Sequence, residues 1–78
     1  MEMKEIESAV ESILFASGEP VQTDRICTAL ELDRPTVERV LQKLMDGYAY
    51  ERRGIRLLRI EDSWQMCSAP DCADVIRR

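Results

Sequence analysis

The run Ile13-Leu14-Phe15-Ala16-Ser17-Gly18-Glu19-Pro20-Val21 limits the fold more than any other stretch of this chain. A helical pattern enters it from the N-terminal side. At 100° per residue Met3, Ile6, Val10, Ile13 and Leu14 fall on one stripe, while Glu5, Ser8, Glu11 and Ser12 lie away from it. The spacing predicts a helix from about Met3 to Ser17. Gly18 suits the left-handed position just past a helix end, and Pro20 bars any continuation because it lacks an N–H and fixes its own φ. Glu19, placed before a proline, is driven toward extended geometry, so Glu19 to Val21 are expected to form a very short strand. The first helix must therefore turn here and find its core in the residues after Pro20.

Those residues divide into short elements. Thr23 is a candidate N-cap for a second helix over about Asp24 to Glu31, with Ile26, Ala29 and Leu30 inward, Cys27 at the edge and Asp24 favourable in the first turn. Asp33 is a second N-cap candidate, and Pro35 falls in the first turn of a third helix, where its missing N–H costs little. That helix, about Arg34 to Tyr50, carries Val37, Val40, Leu41, Leu44 and Tyr48 on a tight stripe, with Met45 beside it. Gly54 ends the helical register. Ile55 to Ile60 and Trp64 to Ser68 then read as a β-hairpin around a three-residue loop, Glu61-Asp62-Ser63. With that loop, Leu58, Ile60, Trp64 and Met66 share the face that packs on the helices, with Arg56 at its far end. Ile55, Leu57, Arg59 and Cys67 take the other face. Pro70 is expected to open a last helix carrying Val75 and Ile76.

Helix, short strand, helix, tight turn, helix, hairpin is the order of a mainly α protein with a small β-hairpin, the winged-helix variant of helix-turn-helix. Seventy-eight residues make one domain, and a hydrophobic fraction of 45% is ample for its core. The last helix breaks off after barely two turns, so the expectation is a fragment of a longer protein.

Composition narrows the function. A net charge of −4 is the wrong sign for a domain whose main task is gripping phosphates. The three cysteines, Cys27, Cys67 and Cys72, show no CxxC spacing, and the chain has no histidine to complete a zinc site. Reduced thiols and no metal or cofactor are expected. Without histidine the commonest general base is missing, and the carboxylates are scattered over helical surfaces, so no catalytic residue is assigned and no enzyme is expected. No apolar run reaches membrane-spanning length, and the N-terminus lacks the layout of a signal peptide; a cytoplasmic location is the expectation.

With these elements placed, the stretch from Ile6 through Val21, and its Leu14-Phe15-Ala16-Ser17-Gly18-Glu19-Pro20-Val21 core above all, resembles the N-terminal domain of the segregation and condensation protein B (ScpB) family. The resemblance continues through Leu30-Glu31-Leu32, the apolar spacing of the third helix, Gly54-Ile55-Arg56-Leu57-Leu58, Trp64-Gln65-Met66, Ala69-Pro70-Asp71 and Val75-Ile76-Arg77-Arg78. It implies a non-enzymatic subunit of the bacterial SMC–kleisin complex, which condenses and segregates chromosomes. Such a subunit is a homodimer that binds the kleisin ScpA, and through it SMC, and sits at the nucleoid through the complex. This part of the chain would then be chiefly a dimerisation module.

The alternative is a DNA-binding winged-helix regulator. A major-groove reader needs Arg, Lys, Asn or Gln on the outward face of its recognition helix. Here that face offers Glu38, Arg39, Gln42, Lys43 and Asp46, whose charges cancel, and the wing tip carries Glu61 and Asp62. Direct sequence-specific DNA binding is not expected. Arg52, Arg53, Arg56 and Arg59 concentrate positive charge at the base of the hairpin and are the candidate basic contact, although a solvated face is the commoner fate of such a run. Phe15 lies nearly opposite the Ile6–Val10–Ile13 stripe. Cover by the Gly18–Val21 turn or a later element is expected, and exposure would make it an anchor for a partner. Ile55 and Leu57, without obvious cover, and Tyr50, off its helix stripe, complete the candidate protein interface.

Overall fold

The computed structural model describes residues 2–70. Within them α1 (Met3–Ser17), β1 (Val21–Gln22), α2 (Thr23–Leu30), α3 (Arg34–Tyr50), β2 (Ile55–Ile60) and β3 (Ser63–Ser68) run in that order. The strands form one antiparallel sheet, β1-β3-β2, so the hairpin is the wing and β1 stitches it back to the helix-turn-helix of α2 and α3. The fold is the expected winged helix. The expected closing helix with Val75 and Ile76, and Cys72 with it, lies outside the described residues.

Punctuation sets the helix ends. Gly18 closes α1 at φ 67°, in the left-handed region that glycine enters without strain. Asp33 caps α3: its carboxylate accepts from the Thr36 backbone N–H at 3.1 Å and from the Thr36 hydroxyl at 2.7 Å, with Pro35 in the first turn. Those two bonds hold the Asp33 carboxyl below the usual range. Ile6, Val10 and Leu14 of α1, Ile26 of α2 and Val37, Val40, Leu41, Leu44 and Tyr48 of α3 meet in one core with Val21, Leu57 and Trp64.

Three local expectations are corrected. The short strand is Val21–Gln22 rather than Glu19–Val21, because pairing with β3 defines it: Val21 faces Trp64 and Gln22 faces Ser63. Thr23 does not cap α2. Gln22 occupies the cap position, and Thr23 is the first helical residue, its hydroxyl turned inward. At the other end α2 stops at Leu30, with Glu31 in the left-handed region at φ 55°.

The largest correction is in the wing. The hairpin turns on two residues, Glu61 and Asp62, not three, and Ile60 pairs with Ser63, Arg59 with Trp64 and Leu57 with Met66. Side chains alternate along a strand, so a one-residue change in pairing sends the whole set to the opposite face. Leu57, Arg59, Trp64 and Met66 therefore share a face, while Leu58 and Ile60 point the other way. Leu57 is 2% exposed. It belongs to the core and is withdrawn from the candidate interface. Cys27 is a free thiol. Cys67 is disulfide-bonded, against the expectation of reduced thiols throughout.

Candidate partner surface

The hairpin is held to the helices by a buried polar chain around Thr23. The Trp64 indole N–H donates to the Thr23 hydroxyl oxygen at 2.9 Å, and that hydroxyl donates to the Asp62 carbonyl at 3.0 Å. The same carbonyl accepts from the Thr23 backbone N–H at 3.0 Å. Trp64 and Thr23 are fully buried, so these bonds satisfy groups that would otherwise be desolvated without partners. Just outside, Arg34 joins three elements: it pairs with Asp24 of α2 at 2.6 Å, with Glu38 of its own helix at 3.1 Å, and with the turn residue Asp62. Nothing in the sequence marks Arg34 for this role, since its partners on other elements lie ten residues back and 28 ahead.

The four candidate arginines do not form one patch. Arg59 is committed inward: its guanidinium carbon lies 5.2 Å from the centroid of the Trp64 ring, and a terminal nitrogen is 3.6 Å from Glu38. Arg56, three residues earlier, is on the opposite face of β2 and donates to the Ile55 carbonyl at 3.0 Å. Arg52, at φ 52°, and Arg53 come just after α3, both exposed, with Arg53 3.9 Å from Glu51. The outward face of α3 is similarly engaged. Lys43 bridges to Glu7 of α1 at 3.0 Å, Gln42 donates to Asp46 at 3.0 Å, and Glu38 serves Arg34 and Arg59. Side chains that would have to read base edges are largely occupied within the domain.

The exposed apolar candidates are clearer. Phe15 is 78% exposed and Tyr50 90%, so neither is covered by the described residues, and Ile55 is 37% exposed. For Phe15 this overturns the expectation of intramolecular cover: the turn after Gly18 leads to α2 instead of folding back over it. Phe15 and Ile55, 40 residues apart, line one concavity of about 440 Å³ together with Glu11, Ser12, Tyr48, Arg53 and Met66. Tyr50 lies outside it. Glu11 and Ser12 carry no mark of this role in the sequence beyond helical spacing, which sets them four and three residues before Phe15 on the same side of α1. A larger concavity of about 800 Å³ runs between the end of α1 and α2, lined in part by Ala16, Ser17, Glu19 and Pro20 of the Ile13–Val21 run.

The lining of the Phe15 groove contains a titratable group, Tyr48. The Tyr48 hydroxyl donates to the Glu11 carboxylate, and burial first, then that bonded carboxylate, push the phenol well above its usual range. A raised folded-state value means that the stability Tyr48 contributes is complete below the unfolded value of about 10 and is lost as pH climbs from there through the folded value. Urea midpoints are accordingly expected to hold up to pH about 10 and to fall progressively above it. Tyr48→Phe should flatten that fall; an unchanged slope in the variant would assign it to other groups.

Among the described residues no three of the cysteine, aspartate and glutamate side chains gather as a metal site, and no helix is long and apolar enough to cross a membrane. The groove offers apolar side chains flanked by a glutamate and an arginine, an arrangement suited to holding another polypeptide.

Known proteins resemble the chain along its whole length. A segregation and condensation protein B of Ruminiclostridium cellulolyticum is 40% identical over 78 residues, covering 100% of this chain and 41% of that protein, so the chain spans well under half of its relative's length. The crystal structure of ScpB from Mycobacterium tuberculosis superposes with a TM-score of 0.86 at 23% identity, over 99% of this chain and 48% of that one. A crystal structure of a dimer of an ScpB N-terminal domain complexed with an ScpA peptide superposes with a TM-score of 0.82 at 24% identity, over 96% and 94%. Both structures have the fold described above. The model of the family "Segregation and condensation complex subunit ScpB" matches residues 8–78, and the chain belongs to that family.

Proposed function

We propose that this chain is a non-enzymatic subunit of a bacterial SMC–kleisin complex that condenses and segregates chromosomes. In this reading its 78 residues are one winged-helix domain, the N-terminal half of a two-domain protein, and the domain self-associates. The homodimer binds the kleisin ScpA and through it SMC, in the cytoplasm and at the nucleoid. Membership of the ScpB family over residues 8–78 carries the reading. The solved relative seen as a dimer with an ScpA peptide supports the self-association and the partner. Exposed Phe15, Tyr50 and Ile55 supply apolar contact area, and Arg52, Arg53 and Arg56 supply positive charge at the surface.

A DNA-binding regulator is disfavoured by the engaged charges on α3 and by the acidic wing tip. The test is light scattering after size exclusion, with the chain alone and then with the kleisin subunit. The expected masses are those of a dimer and of a co-eluting complex. A strictly monomeric chain that neither pairs nor retains the kleisin, but binds duplex DNA at low salt, would overturn the proposal in favour of the regulator.

A further inference from the structure

We infer that the helix-turn-helix carries its own shield against nucleic acid: carboxylates from α2 and from the wing tip occupy the arginine that opens α3, so that a phosphate backbone meets negative charge at the mouth of the motif. The inference goes beyond the function proposed above and does not depend on self-association. In a helix-turn-helix the second helix enters the major groove with its N-terminal residues at the base edges, while the first crosses the DNA backbone. Here Arg34 is the first residue of α3, and Asp24 lies in the first turn of α2. Three carboxylates converge on Arg34: Asp24 at 2.6 Å, Glu38 at 3.1 Å, and Asp62 from the hairpin turn. Glu38 also holds Arg59 at 3.6 Å. Two guanidinium groups thus stand against three carboxylates, a net of −1 among five bonded groups.

Exposure decides which charge an incoming ligand meets first. The Asp24 and Asp62 side chains are 74% and 52% exposed, against 38% for Arg34. A phosphate reaching Arg34 must displace a carboxylate, which exchanges one ionic partner for another and leaves the freed aspartate beside it as a like charge. Phosphate contacts supply essentially all of non-specific DNA affinity, so a motif that offers no net gain on phosphate has little to bind with. The cluster is not needed to fix the wing, which the buried bonds of Trp64 and Thr23 to the turn already hold. Exposed ion pairs add little stability. The consequence of this cluster is therefore electrostatic.

The test is fluorescence anisotropy with a labelled, mixed-sequence DNA duplex at low salt. Asp24→Asn with Asp62→Asn removes the two carboxylates that come from outside α3 and turns the five groups from −1 to +1. The backbone carbonyls of both residues, which accept from the Thr28 and Thr23 hydroxyls at 3.0 Å, stay in place, and circular dichroism checks the fold. Glu2→Gln with Glu5→Gln makes the same change in total charge at exposed positions near the start of α1. The aspartate variant is expected to bind the duplex at least about tenfold more tightly than the parent, and the glutamate variant to bind like the parent. Adding Arg34→Met to the aspartate variant should abolish the gain, and so should raised salt. No gain in the aspartate variant, an equal gain in the glutamate variant, or a gain that survives Arg34→Met would each overturn the shield.

Discussion

Trp64→Ala is expected to remove a large share of the domain's stability, more than any other single change tested at this joint. Removing a buried tryptophan costs about 3–5 kcal/mol through lost burial and the cavity left behind. A domain of this size has only about 4–12 kcal/mol in total. Trp64 is also the joint of the sheet, facing Val21 on one side and Arg59 on the other. Its loss therefore loosens β1 from the wing as well as emptying the core. The polar part of the effect can be isolated at Thr23. Thr23→Val keeps the shape but leaves the buried indole N–H without its acceptor, at an expected cost of about 1–3 kcal/mol. Thr23→Ser keeps the hydroxyl and loses a methyl group, worth about 0.8 kcal/mol. Urea unfolding monitored by circular dichroism should rank the losses Trp64→Ala, Thr23→Val, Thr23→Ser. Thr23→Val costing no more than Thr23→Ser would show that the indole bond does not stabilise the fold.

The elements that could be read in advance are those whose boundaries carry their own chemistry. α1 has a one-sided apolar stripe and ends in Gly18 and Pro20; α3 has Asp33, Pro35 and a stripe of five core residues. The wing lacks such marks. Its turn, Glu61-Asp62, has no glycine or asparagine to show which residues are central, although Glu61 takes φ 57°. Both alternating sets on β2 also contain aliphatics, Ile55 and Leu57 in one and Leu58 and Ile60 in the other, so periodicity cannot choose between them. The third helix's cap was legible because Asp33 meets a donor three residues away. The inward hydroxyl of Thr23 was not, because its partners come from the hairpin 39 and 41 residues later. The partner surface divides the same way. The exposure of Phe15 comes from its angle on the helical wheel once no later element covers it. The groove it shares with Ile55, and the diversion of Arg59 to Glu38 and Trp64, are properties of tertiary packing alone.

The pairing of the wing can be decided by two neighbouring leucines. Leu57 is 2% exposed, in the core with Trp64, while Leu58 is half-buried on the opposite face beside Arg56 and Ile60. Leu57→Ala is expected to cost about 2–5 kcal/mol. Leu58→Ala removes side-chain area that is only partly covered and should cost about 1 kcal/mol. Aspartate widens the gap. At Leu57 it would bury a charge with no partner and abolish folding, whereas at Leu58 it meets solvent near the Arg56 guanidinium and the domain should stay folded. Measured in one background by urea unfolding, the ranking depends on register and on little else, because the two residues share a strand, a side-chain type and a distance from the turn within one position. A larger loss at Leu58 than at Leu57 would restore the three-residue loop, turn the wing over, and return Leu57 to the surface.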